Sequence, residues 1–154
     1  VAVAIAIAVA AAVAVAAGVA VAVLGIGMST TPAFADPVKD RQAAMKTISK
    51  AGKALGKAAK GGMTADAQKQ AQIIVAATEK LESMFPKGSG EGYGKTNRAK
   101  PEIWSDWAKF QKANATLKSA AMKVASGDLK AAGDIGKACG ACHKAFRGPK
   151  PKKM

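Results

Sequence analysis

Between residues 36 and 147, apolar side chains recur every three or four positions in four stretches, and glycine or proline closes each one. That is the period of an amphipathic helix rather than of a strand. The first stretch begins where Asp36 can cap a helix whose first position is Pro37, a favoured pairing because proline lacks the N–H that a cap must satisfy. Its row runs through Val38, Arg41, Met45, Ile48, Gly52, Leu55 and Ala59, and it fades at Gly61-Gly62. The second runs from Thr64 to Phe85-Pro86 with Ala67, Gln70, Ile74, Ala77, Leu81 and Met84 on one side. Pro101 opens the third, whose row is Ile103, Trp107, Phe110, Asn114, Leu117, Ala121 and Val124, and Gly127 ends it. Asp128 caps the fourth, which carries Leu129, Ala132, Gly136, Cys139, His143 and Phe146 and closes near Arg147 before Gly148-Pro149. Two short connections and one long one, Lys87–Lys100, predict an all-α, antiparallel, up-down-up-down four-helix bundle.

Residues 1–35 lie outside this pattern. They hold no charged side chain and are rich in Ala, Val and Ile up to Gly27, after which Ser29-Thr30-Thr31-Pro32 breaks the run. Ala33-Phe34-Ala35 has the small-x-small form read by signal peptidase, so cleavage is expected before Asp36, leaving 36–154 as the mature domain. An apolar run of this length also suits an uncleaved membrane anchor. The stretch lacks an initiator methionine and a basic leading region, so its true start is expected to be missing or misassigned. All 24 basic and 10 acidic residues fall in the remainder, for a net charge of +14. Such an excess draws acidic protein partners and speeds encounter with them. Nucleic acid is the rival partner for a basic chain. Export, the absence of a recognition motif and the spread of the lysines along the helices argue against it.

The two cysteines and the single histidine of the chain stand together as Cys139-Gly140-Ala141-Cys142-His143. Cys-x-x-Cys-His is the attachment sequence of c-type haem. Both thiols add to the haem vinyl groups as thioethers, and the imidazole becomes an axial iron ligand. On a helix, positions i, i+3 and i+4 project from one face, as a stapled porphyrin requires. A zinc site needs about four ligands and no second Cys/His pair exists. A thioredoxin-like dithiol follows a strand, and no strand pattern precedes this one. A plain disulfide would leave His143 without a role. One covalent haem c is therefore expected, and its attachment chemistry requires export, in a bacterium to the periplasm. With aromatic residues at only 5%, so small a bundle gains much from a porphyrin's apolar face. Arg41 breaks an apolar row, and a buried guanidinium needs a partner. A haem propionate suits it, because arginine pairs with carboxylates through a two-pronged fork; snorkelling to water is the alternative.

An attachment motif on the last helix of an exported bundle resembles the class II c-type cytochromes, the cytochrome c′ family. Further matching pieces are Arg41-Gln42 with Met45, the loop Phe85-Pro86-Lys87-Gly88-Ser89-Gly90, Lys100-Pro101-Glu102-Ile103-Trp104, and Cys142-His143-Lys144-Ala145-Phe146-Arg147. The resemblance spans essentially all of 36–154. It implies that Cys139 and Cys142 hold the haem, that His143 is the proximal ligand, and that Arg41 and Gln42 contact the haem and its propionates. It also implies that Phe146 packs beside the imidazole, that Arg147 shapes the proximal pocket and the potential, and that Thr96 is a haem contact from the connecting loop.

Met45 separates two functions within that resemblance. In the low-spin branch, a methionine here is the sixth iron ligand and the protein carries single electrons. In cytochrome c′ proper, an apolar side chain blocks the distal face, and five-coordinate iron binds nitric oxide or carbon monoxide. The expected role is non-enzymatic electron transport, with gas binding as the alternative. Family members often dimerise through the first two helices, but Lys46, Lys50, Lys53, Lys57 and Lys60 disfavour an apolar interface there. The chain is expected to be a monomer or a homodimer. Trp104 lies off its helix's row and covers either the connecting loop or an interface.

Overall fold

The computed structural model describes residues 36–90 and 96–150. The expected signal segment at 1–35 lies outside them. Among the described residues five α-helices form: α1 (Pro37–Lys60), α2 (Thr64–Leu81), α3 (Glu102–Ser105), α4 (Trp107–Ala125) and α5 (Ala132–Phe146). Among the described residues the only β pairing is one isolated bridge, Ala99 with Arg147, and no helix is long and apolar enough to cross a membrane. The four long helices make the antiparallel bundle, with α1 packed on α2, α2 on α4 and α4 on α5. Of the neighbouring pairs around the bundle, α1 and α5 are in least contact.

The ends follow from the caps. The Asp36 carboxylate accepts from the backbone N–H groups of Val38 (3.0 Å) and Lys39 (3.2 Å). The Lys39 N–H bond leads in holding its pKa below the ordinary carboxylate value. The third segment differs from the sequence expectation of one helix running from Pro101. At Asp106 the backbone leaves the helical region (φ −130°, ψ 62°), and its side chain accepts from Lys109 N–H at 3.2 Å, capping α4 afresh. The second and fourth segments each carry a 3₁₀ turn, Glu82–Met84 after α2 and Leu129–Ala131 before α5. Asp128 caps that second turn by accepting from Lys130 N–H.

Burial confirms the row on α4 and shifts the others. On α5 the buried positions are Ile135, Ala138 and Phe146, with Ala131 just ahead of the helix, whereas the expected row at Gly136, Cys139 and His143 stands at its margin. Gly136 brings no side chain to bury, so the rotation that covers Ile135 wins on apolar area. On α1, Ala51 and Ala58 are buried in place of Gly52 and Ala59. On α2, Ala71 and Thr78 replace Gln70 and Ala77, which keeps a carboxamide out of the core.

Two apolar clusters fill the bundle. One is aliphatic, centred on Leu55, Ile74, Ala121 and Val124. The other is aromatic, built on Leu81, Phe85, Ile103, Phe110 and Phe146. Phe110 sits at the aromatic centre, 4.8 Å from Phe85 and 5.5 Å from Phe146 by ring centroids, both edge-to-face. Asn114, one turn beyond Phe110, donates to Thr78 O and Glu82 Oε1, both at 3.0 Å. Gln111 donates to the other Glu82 oxygen, and these two bonds hold the Glu82 carboxyl below its usual pKa.

Trp104 covers the loop after α2. Its indole N–H donates to Phe85 O and Pro86 O (3.2 and 3.1 Å), and its ring lies on Gly90. A Cβ at Gly90 would fall 2.6 Å from Trp104 Cζ3, so Gly90→Ala must push the indole off its two carbonyls. We expect a loss of about 1–3 kcal/mol of unfolding free energy. Denaturant titration followed by tryptophan fluorescence checks this, and an unchanged midpoint would refute it.

Candidate haem site

The site is assembled at the aromatic end of the bundle. Met45 from α1 and Cys142 from α5 both pack against the cluster of Phe85, Phe110 and Phe146, so the candidate sixth ligand and one attachment thiol lie at the same end of the bundle. Cys139, one turn earlier, packs against the aliphatic cluster. Cys139, Cys142 and His143 are all half-buried, and both thiols are free. Burial raises both thiol pKa values, and for Cys142 the neighbouring Cys139 adds to the rise. Both stand as reduced thiols, the form that thioether formation on a vinyl group consumes. Burial, and then the guanidinium groups of Arg147 and Arg98, pull the His143 pKa below its ordinary value. The imidazole is neutral at pH 7, with a nitrogen lone pair for a metal.

The shape beside these residues suits a flat cofactor. Gly136, Gly140 and His143 share one flank of α5, and Met45, Gly52 and Gly56 share one flank of α1. A Cβ placed on any of those four glycines would meet nothing within 4 Å. The flanks border open space on α1 and α5, the neighbouring helices in least contact. The shifted rows thus have a physical reading: the small apolar positions left uncovered by protein are those a porphyrin face would cover. Thiols, imidazole and space fit a haem.

The remaining expected site residues organise the loop between α2 and α3. Arg41 is 5% exposed; its Nη1 donates to Ser89 Oγ (3.1 Å) and its Nη2 to Ser89 O (2.9 Å). Its guanidinium lies 4.8 Å from the Phe85 ring centroid and 5.9 Å from that of Trp104. It is held inside the protein rather than snorkelling to water. Gln42 Nε2 donates to Thr96 O at 3.2 Å, and Asn97 Nδ2 donates to Gly90 O at 2.6 Å. Arg41 and Gln42, adjacent on α1, thus hold the two ends of one loop. Thr96 is exposed and takes part through its carbonyl. Arg147 is exposed at the end of α5, its N–H donating to His143 O at 3.0 Å, and Phe146 is buried beside it.

Sequence reasoning missed Ser89 and Arg98. Ser89 is buried in the Phe85–Gly90 motif, and a serine between two glycines carried no signal beyond a turn. Arg98 lies in the connecting loop, where periodicity says nothing.

A four-helix bundle whose last helix offers two thiols and a neutral imidazole beside an open apolar flank defines a c-type haem protein of the bundle class. The model of the family described as Cytochrome C′ matches residues 36–147, and the chain belongs to the cytochrome c′ family. A cytochrome c′ of Rhodospirillum rubrum is 33% identical over 132 residues, covering 77% of this chain and 88% of that protein. Among solved structures, a mutant of Rhodopseudomonas palustris cytochrome c′ superposes with a TM-score of 0.65 at 31% identity, covering 74% of this chain and 98% of that one. The nitric oxide complex of a leucine-to-alanine mutant of cytochrome c prime from Alcaligenes xylosoxidans gives 0.64 at 28% identity, covering 76% and 99%. The cofactor of this family is covalently attached haem c, and this chain is a haem c-type cytochrome.

Proposed function

We propose that the chain carries single electrons in the periplasm, with one haem c joined to Cys139 and Cys142, His143 as proximal ligand and Met45 as the sixth. The observation that carries this reading is the convergence of Met45 and Cys142, from two different helices, on one aromatic cluster. The haem supplies the Fe(III)/Fe(II) couple; no acid, base or nucleophile is asked of the protein. Cys139 and Cys142 fix its position and keep it from dissociating. His143 donates a neutral nitrogen, and the thioether of Met45 adds a soft sulfur that favours the reduced state. Phe85, Phe110 and Phe146 exclude water from this end of the bundle and lower the local dielectric. Arg41 and Gln42 hold the loop at Ser89 and Thr96, and they would be the polar groups that meet the haem propionates. The basic surface, +14 overall, favours an acidic redox partner.

A second reading has support of its own. The structural neighbours include nitric oxide complexes of the Alcaligenes xylosoxidans protein. Were Met45 only to fill space beside the iron, a diatomic gas would take the sixth position. One experiment separates the two: the reduced-minus-oxidised spectrum, then the same sample under carbon monoxide. Electron transfer with Met45 ligation is expected to give a sharp low-spin α band and slow, partial change on adding gas. A broad high-spin spectrum with rapid, complete binding would replace it with the gas-binding reading.

A further inference from the structure

The end of α5 is tied to the protein by a strap that neither the motif nor the family match explains. After Phe146 the chain turns extended and pairs with residues 98–100. Gly148 N–H donates to Arg98 O (2.7 Å), Lys100 N–H donates to Phe146 O (3.0 Å), and Ala99 bridges Arg147. The Arg98 side chain completes it. Its Nε donates to Gly148 O at 2.9 Å and Pro149 O at 3.0 Å, and its Nη2 also donates to Gly148 O.

Such a fork fixes direction as well as distance, because the guanidinium is planar and its N–H groups cannot turn independently. The tie also sits where it matters. The segment it holds begins one residue after Phe146 and four after His143, and Arg147 N–H already binds His143 O. Helix ends fray unless their last carbonyls find partners. Here Phe146 O is taken by Lys100, and the carbonyls of Gly148 and Pro149 by Arg98. The last turn of α5, which carries the imidazole, is thereby pinned from the connecting loop.

We propose that Arg98 is a positioning residue for His143: through the strap it fixes the last turn of α5 and so the direction of the imidazole, and with Arg147 it places a second cation on the proximal side. This rests on His143 being the proximal haem ligand. Two cations beside the ligand disfavour the more positive oxidised state, so Arg98 raises the reduction potential.

The test compares holoprotein of the wild type with Arg98→Gln and Arg98→Lys. Two quantities are read: the reduction potential by spectroelectrochemistry, and the hyperfine-shifted ring resonances of the ligating histidine in the oxidised protein by NMR. Arg98→Gln is expected to shift those resonances and to lower the reduced-to-oxidised ratio at fixed ambient potential about threefold, the scale of one partly screened charge, or about 30 mV for one electron. Arg98→Lys keeps the charge and loses the fork, so its potential should stay near wild type while its resonances still move. Unchanged resonances and potential in Arg98→Gln, whatever its melting temperature, would reduce Arg98 to a structural tie and overturn the proposal. If Arg98→Gln does not accumulate as holoprotein, unmoved resonances in Arg98→Lys overturn it equally. A wild type with no histidine-ligated haem would instead defeat the functional reading on which this stands.

Discussion

Replacing Cys139 and Cys142 together with alanine is expected to give a protein that retains no haem after denaturation. The two thioethers are the only covalent route available, since the chain has no other cysteine. The loss should extend to the fold. The open flanks beside Gly52, Gly56, Gly136 and Gly140 would have no apolar surface set against them. Covering a few hundred Å² of such surface is worth on the order of 5 kcal/mol or more at about 25 cal/mol per Å², a large share of a small domain's stability. The double variant should therefore unfold at a much lower temperature than the holoprotein by circular dichroism. Single variants should keep one thioether and stain for haem on a denaturing gel, with the α band moved to longer wavelength by the unreacted vinyl group. Equal haem staining in the double variant would mean that attachment lies elsewhere.

Met45 carries the second large effect. Met45→Ala is expected to remove the low-spin α band, to open the distal position to carbon monoxide, and to lower the reduced-to-oxidised ratio at fixed potential about tenfold or more, about 59 mV for one electron. Met45→Leu separates ligation from packing. It keeps the bulk against the aromatic cluster but has no sulfur, so it should behave like alanine in the spectrum and like wild type in thermal stability. Spectra unchanged in both variants would assign Met45 to packing alone.

The helical period and the caps were plain in the sequence because they are local: Asp36-Pro37, Asp128 and the row from Phe110 to Val124 depend on neighbours within a turn or two. The attachment motif was plainest, since its chemistry is written in five consecutive residues. The break at Asp106 was not, because an aspartate inside an apolar period can face water as well as cap a new helix. The rows on α1 and α5 were displaced by one position because periodicity marks every surface to be covered, whether by protein or by cofactor. On the proposed reading Gly52 and Gly136 belong to the second kind. Arg41 was rightly singled out as a charge needing partners, and those among the described residues include a serine 48 residues away and two aromatic faces. Arg98 escaped altogether, for its partners are carbonyls 50 and 51 positions on, and carbonyls leave no trace in a sequence.

The central claim is that one haem is sewn to α5 through Cys139 and Cys142. Its most direct test is the intact mass of the matured polypeptide, measured under denaturing conditions after production in a host that carries the haem-attachment machinery. The expected mass is that of the chain plus one haem, with the added mass mapping to the peptide holding Cys139–His143. A mass equal to the bare chain, from a culture in which a known c-type cytochrome matures normally, would contradict it.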